Sequence, residues 1–188
     1  MNKNQDVTYK IRPAARLIHT IGRDLIGDSY AALVELVKNS YDAEASKVDI
    51  NFTYKEINKK SALVISINDN GHGMDFDTII NKWLVPATND KLKRKVSPNK
   101  NRKLQGRKGI GRFSASILGQ EMTMTSIDEK GEKSTVVIDW RIFNTDDFLE
   151  NIELLVEKTQ TKETSGTFIE LIAFDETEKT ENEEIEDN

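Results

Sequence analysis

Between residues 121 and 173 the chain reads as strand after strand with no helix between them, and this limits its fold more than any other feature. Residues 121–127 and 133–140 form a hairpin pattern around Glu129-Lys130-Gly131-Glu132, and 151–159 and 167–173 read as two further strands. Upstream, Asp28 is a helix N-cap, and Leu33, Val34, Leu36, Val37 and Tyr41 follow it as an apolar stripe at helical spacing. Residues 47–54 alternate as a half-buried strand, and 62–67 (ALVISI) form a short apolar one. Residues 75–84 suit a short helix that ends before Pro86, and a second helix runs from about Ile110 to Leu118, closed by Gly119. The order is helix, strand, strand, helix, loop, helix and then four strands. It predicts an α+β protein with one mixed, mostly antiparallel sheet and helices on one face.

The length, 188 residues, suits one ordinary domain. With no cysteine, disulfide frameworks, thiolate metal sites and cysteine nucleophiles are excluded, and two histidines are too few for a histidine-rich metal site. No apolar run is long enough to span a membrane, and residues 1–10 carry no export signal, so a soluble cytoplasmic protein is expected. The net charge of −5 is unevenly spread. Residues 174–188 hold eight acids against Lys179, which predicts a disordered acidic tail or linker after a folded domain of residues 1–173. Residues 91–112 hold ten Lys or Arg and no acid, the composition of a mobile electropositive loop.

Four constellations carry chemistry. Glu35, Asn39 and Asp42 share one helix face beside the apolar stripe. A carboxylate there suits a general base and an amide oxygen suits a hard cation, though the same triplet also fits the polar side of an amphipathic helix. Asp69-Asn70-Gly71-His72-Gly73-Met74 follows a strand directly. Its glycines let a backbone approach a ligand closely, and its Asp can accept from an exocyclic amine; an Asx-capped turn is the plain alternative. Gly106-Arg107-Lys108-Gly109-Ile110-Gly111 opens a helix, where glycine-freed amides suit a polyphosphate. It is not a Walker A loop, because Arg112-Phe113 stands where Lys-Ser/Thr is required. Ser165-Gly166-Thr167 enters the last strand as a turn.

Taken in order, E-x-x-x-N-x-x-D-A (Glu35, Asn39, Asp42, Ala43), D-x-G-x-G-M (Asp69, Gly71, Gly73, Met74), G-x-x-G-x-G (Gly106, Gly109, Gly111) and G-T (Gly166, Thr167) resemble the GHKL superfamily of gyrase, heat-shock chaperone, histidine kinase and MutL ATPases. The resemblance covers residues 13–173. It implies a Bergerat-type two-layer α/β sandwich with ATP between helices and sheet, under a lid. By motif match, Glu35 would activate water and Asn39 would ligate Mg²⁺. Asp69 would accept from the adenine amine, with Gly71, Gly73 and Met74 close to the base and Thr167 supporting Asp69. Gly109, Ile110 and Gly111 would meet the phosphates, and Lys108 is placed there by its charge and position. Asp42-Ala43 resembles the chaperone, MutL and MORC branch, and Asp42 joins the nucleotide-binding set.

The expected function is an Mg²⁺-dependent ATPase module whose lid closure drives rearrangement, or the pairing of two copies, in a larger protein. The acidic tail favours reading the chain as the N-terminal piece of that protein. The alternatives are a nucleic-acid-binding protein that uses residues 91–112 as a phosphate-contacting arm, and a histidine-kinase catalytic domain. For the latter, only His19 lies upstream, with too little chain before it for a phosphoacceptor hairpin.

Overall fold

In the computed structural model, residues 8–87, 95–106, 109 and 111–175 are described, with 23–26 as backbone only. Strands β1 (Val48–Ile57), β2 (Lys60–Asp69), β3 (Glu121–Ile127), β4 (Glu132–Asp139), β5 (Leu155–Gln160) and β6 (Gly166–Phe174) make one sheet of order β1-β2-β6-β3-β4-β5. Every pairing is antiparallel, where the sequence allowed for a mixed sheet. The last strand thus enters the middle, between β2 and β3, and joins two hairpins that are separate in sequence.

One face of the sheet is apolar and carries the helices. Ile65, Ile67, Met122, Met124, Val136, Ile138 and Leu171 form a single core with residues of the helical layer. That layer comprises α1 (Leu17–Ile26), α2 (Ser29–Asp42), α3 (Phe76–Thr78) and α4 (Ala115–Leu118). The α3 turn continues as a π-helical turn, Ile79–Trp83, and a 3₁₀ turn, Gly111–Ser114, leads into α4. No helix among the described residues is long and apolar enough to cross a membrane.

Asp28 caps α2 as expected, its side chain accepting from the Ala31 amide at 2.7 Å. The face that α2 buries differs from the expected stripe. Ala32, Leu36 and Ser40, at i, i+4 and i+8, are the buried positions. Leu33 packs at the core's margin, and Leu33, Val34, Val37 and Tyr41 line a shallow apolar groove with Ile50. On this face α2 packs against the 3₁₀ turn Gly111–Ser114 and α4, with the Ala32 carbonyl accepting from Ser114 Oγ at 3.2 Å.

Helix α1 has no counterpart in the sequence-based reading, because Gly22 interrupts its pattern. In the structure that glycine is what allows it to pack. A Cβ at residue 22 would lie 2.6 Å from Ser116 Oγ and 2.8 Å from the Phe113 carbonyl oxygen, so α1 rests directly on the 3₁₀ turn and α4.

The basic segment is also built differently from its composition. Residues 95–106 fold back on themselves through an antiparallel bridge between Val96 and Lys103, and they are tied to the C-terminal end of α2. Glu44 Oε1 accepts from the amides of Asn99 (2.8 Å) and Lys100 (2.6 Å), and Lys100 Nζ donates to the Glu44 carbonyl at 2.7 Å. Arg102 Nη1 donates to the carbonyls of Ala45 (2.7 Å) and Tyr41 (3.2 Å), with its guanidinium over the Tyr41 ring. Asp42 accepts from the amides of Gln105 and Gly106. Residues 95–106 are therefore a folded segment tied to α2, where composition alone predicted a mobile loop. Two carboxylates supply the negative charge that the segment's composition lacks. Residues 91–94, 107, 108 and 110, and the acidic tail beyond 175, lie outside the described residues.

Two outcomes follow from this packing. Gly22→Ala gains up to ~1 kcal/mol of helix propensity, but overpacking against a backbone carbonyl costs about 1–3 kcal/mol. The net expectation is a lower denaturant midpoint. Glu44 generates the second. Burial alone would raise its pKa, but the Lys100 amide, the Ser97 hydroxyl, the Asn99 amide and the charge of His72 outweigh that and bring it from 4.5 down to about 2. A depressed carboxylate stabilises the fold fully above its unfolded value, and that contribution is lost as pH falls from 4.5 towards 2. Amide exchange at Asn99 and Lys100 should accelerate across that window, once corrected for intrinsic rates. Glu44→Gln should remove the pH dependence and give faster exchange already at neutral pH.

Candidate functional site

The register of the sheet sets the floor of the site. On the helix-facing side, Ile65, Leu171, Met122 and Ile138 pair across four strands as one row, and Ile67, Ile169, Met124 and Val136 as the next. The row after that is Asp69, Thr167, Ser126 and Ser134. An apolar face thus ends in a buried polar edge, with Asp69 at 9% exposure and both serines at 0%. Beside this edge, between sheet and helices, lies a cavity of about 790 Å³, a volume of the size that small-molecule sites occupy.

Asp69 is fixed from three directions. Its Oδ2 accepts from Ser40 Oγ at 2.7 Å, and its Oδ1 from the Gly71 amide at 2.9 Å and the Thr167 amide at 3.2 Å. A carboxylate has about four lone-pair directions, so one remains for a donor in the cavity. Ser126 Oγ accepts from the Met74 amide at 2.9 Å and meets Thr167 Oγ1 at 3.1 Å, which carries the network into the turn after β2. That turn needs its glycines. Gly73 has φ +65°, and a Cβ there would fall on the Ile127 carbonyl oxygen. Gly71 does not line the cavity; it packs on Ala43, whose carbonyl oxygen would lie 2.6 Å from a Cβ at residue 71.

The opposite wall comes from α2. Glu35 and Asn39 line the cavity, as the shared helix face requires. Glu35 Oε1 accepts from Lys38 Nζ at 2.7 Å. Its Oε2 faces Gly111, where a Cβ would lie only 2.8 Å away. Asp42 also borders the cavity, but its carboxylate is engaged with the Gln105 and Gly106 amides, so what the structure shows for it is an anchoring contact. Met74, Thr167, Gly109 and Gly111 complete the expected residues at the wall. Lys108 and Ile110 lie outside the described residues.

Four contributors were not expected from the sequence: Ser40, Ser126, Glu44 and Arg112. The serines and Glu44 carry no local signal, since their role depends on partners 29 to 56 residues away. Arg112 stood in plain view as the residue that broke a different phosphate-loop pattern. It lines the cavity, donates from Nη2 to the Val85 carbonyl at 2.7 Å, and has a buried Nε without a partner.

A purine nucleotide fits these features. One end of the cavity offers a fixed acceptor with a free lone pair, and the other offers a cation, glycines and a carboxylate. Among the described residues no group of three acids or histidines gathers to hold a metal. A magnesium ion would therefore take an amide oxygen from Asn39 and its remaining oxygens from phosphate and water.

Comparison with known proteins agrees. Residues 28–180 match the family described as histidine kinase-, DNA gyrase B-, and HSP90-like ATPase. The chaperone protein HtpG of Buchnera aphidicola subsp. Baizongia pistaciae (strain Bp) is 27% identical over 138 residues, which is 64% of this chain and 22% of that protein. The chain thus spans about a fifth of the length of the curated relative it matches. With most of its length inside the family match, the chain belongs to the histidine kinase-, DNA gyrase B- and HSP90-like (GHKL) ATPases, near their chaperone branch.

Proposed function

We propose that this chain binds ATP with Mg²⁺ in the cavity and hydrolyses it, and that closure around the nucleotide drives rearrangement, or the pairing of two copies, in a larger protein. The observation that carries the reading is the opposition of Asp69 and Glu35 across one cavity, in a chain of this family. Asp69 would read the adenine amine with its remaining lone pair, since its other acceptor directions are already filled by protein donors. Thr167 and Ser126 hold it there. Glu35 would take the proton of the attacking water: Lys38 holds Oε1, and this turns Oε2 toward Gly111. Magnesium, held in part by Asn39, would neutralise phosphate charge.

The nucleic-acid reading loses support from the same geometry. Among the described residues of the basic segment, Lys100 and Arg102 are directed at carbonyls of their own chain, where a phosphate-contacting arm needs free cations.

Glu35→Ala should lower ATP turnover by about 10²–10⁴-fold and leave nucleotide affinity nearly unchanged. Turnover at the parent's rate in a phosphate-release assay would remove Glu35 from the base role. Asp69→Asn should cost about 1–3 kcal/mol of ATP binding, because an amide presents a donor where three donors already point. That is roughly 10–100-fold in Kd by calorimetry. Equal affinity of the parent for GTP and ATP would argue against adenine recognition at Asp69.

A further inference from the structure

Arg112 is the second residue of the 3₁₀ turn and lines the cavity, one residue after Gly111, which faces the Glu35 carboxylate. It reaches across the rim to the end of the π-helical turn, where Nη2 meets the Val85 carbonyl and Cζ lies 5.9 Å from the centre of the Trp83 ring. That contact uses one corner of the guanidinium. The Nε corner is buried and has no hydrogen-bond partner, and among the described residues no acid pairs with Arg112. Burial disfavours its charged form and pulls its pKa down to about 10, still well above neutral, so it remains a cation.

The guanidinium also lies 5.3 Å from the centre of the Phe113 ring, but a buried cation that no described carboxylate neutralises is costly unless an anion completes it. The planar fork of a guanidinium suits an oxyanion with two adjacent acceptors. The α4 helix that follows is only four residues long, too short for its N-terminus to serve as the site of positive charge.

Building on the nucleotide reading above, we propose that Arg112 is the residue that binds the terminal phosphate, its guanidinium taking phosphate oxygens so that a triphosphate is held in preference to a diphosphate. The residue before it, Gly111, faces Glu35, the group read above as the base, and both Arg112 and Glu35 line the one cavity. The Val85 contact sets the guanidinium's orientation before the ligand arrives, which lowers the entropy lost on binding.

The test is calorimetric titration of the chain, with Mg²⁺, against a non-hydrolysable ATP analogue and against ADP, for the parent, Arg112→Lys and Arg112→Gln. Loss of a charge-assisted contact should weaken the analogue by about 10–100-fold in Arg112→Gln and leave ADP little changed. Arg112→Lys should recover part of the loss, because it keeps the charge without the fork. Equal weakening of both ligands would mean that Arg112 only ties down Val85, and unchanged affinity for both would mean that it touches no phosphate; either result overturns the assignment. A parent chain that binds neither nucleotide overturns the nucleotide reading itself and this role with it. Thermal unfolding of the unliganded variants separates a folding defect from a binding one.

Discussion

The site depends on one carboxylate, Asp69, that is fixed by donors from three separate elements. Ser40 belongs to α2, Gly71 to the turn after β2 and Thr167 to β6. None of the three is close to the others in sequence, so the carboxylate is correctly held only when the helix is docked and β6 has entered the middle of the sheet. A shift of β6 by one residue would turn Thr167 to the opposite face and bring Phe168 to the polar edge. The apolar rows beneath prevent this. Ile169 and Leu171 sit in register with Ile67 and Ile65 on one side and with Met124 and Met122 on the other, so a slip would expose the sheet's best-buried positions. Packing in two rows therefore determines the geometry of the third.

The same economy governs charge. Ten cations in 22 residues should repel one another, yet residues 95–106 form a compact bridge because α2 ends in Asp42 and Glu44. These carboxylates act mainly on amides, and the cations they neighbour turn to carbonyls at the end of α2 and just past it, those of Tyr41, Glu44 and Ala45. Cationic groups at a helix C-terminus meet the unpaired carbonyls there, which is favourable both as hydrogen bonding and as charge against the helix dipole. Glu44 adopts φ +65°, a conformation that residues with a Cβ seldom take, and its position just after α2 lets the carboxylate reach back under the segment.

Local features of the sequence translated well into local structure. Asp28 capped its helix, the Glu129–Glu132 region formed its hairpin turn, and residues 47–54 fell within β1, though Phe52 and Tyr54 of the face expected to be buried are exposed because β1 is an edge strand running beyond the helical layer. The residues placed on one helix face, Glu35 and Asn39, line one cavity with Asp69 and Thr167. What could not be read was decided by distant neighbours. Gly22 looks like a helix breaker until Phe113 and Ser116 are brought against it. The stripe from Leu33 to Tyr41 looks like the core face until the 3₁₀ turn and α4 close on the face of Ala32, Leu36 and Ser40 instead. Basic composition suggested mobility because its counter-charges, Asp42 and Glu44, lie about fifty to sixty residues earlier.

These contacts also close into a ring around the cavity. Thr167 meets Ser126, which receives the Met74 amide; Asp75, next in sequence, caps the turn at Thr78. The π-helical turn then runs to Trp83, and Val85 receives Arg112, which is joined through Gly111 to the Glu35 side. Glu35 lies one helical turn from Asn39, and Ser40 returns the path to Asp69. The two halves of the ring differ in kind. From Asp69 to Thr78 it is made of hydrogen bonds to backbone amides in and beside a sheet, which leave little freedom. From Trp83 to Glu35 it is made of side chains, Arg112 on the 3₁₀ turn and Glu35 on α2, joined by one bond to Val85 and a close approach at Gly111. Backbone pairing therefore fixes the half at the sheet's edge, and the half where Glu35 and Arg112 stand is built by side chains because the sheet does not reach it.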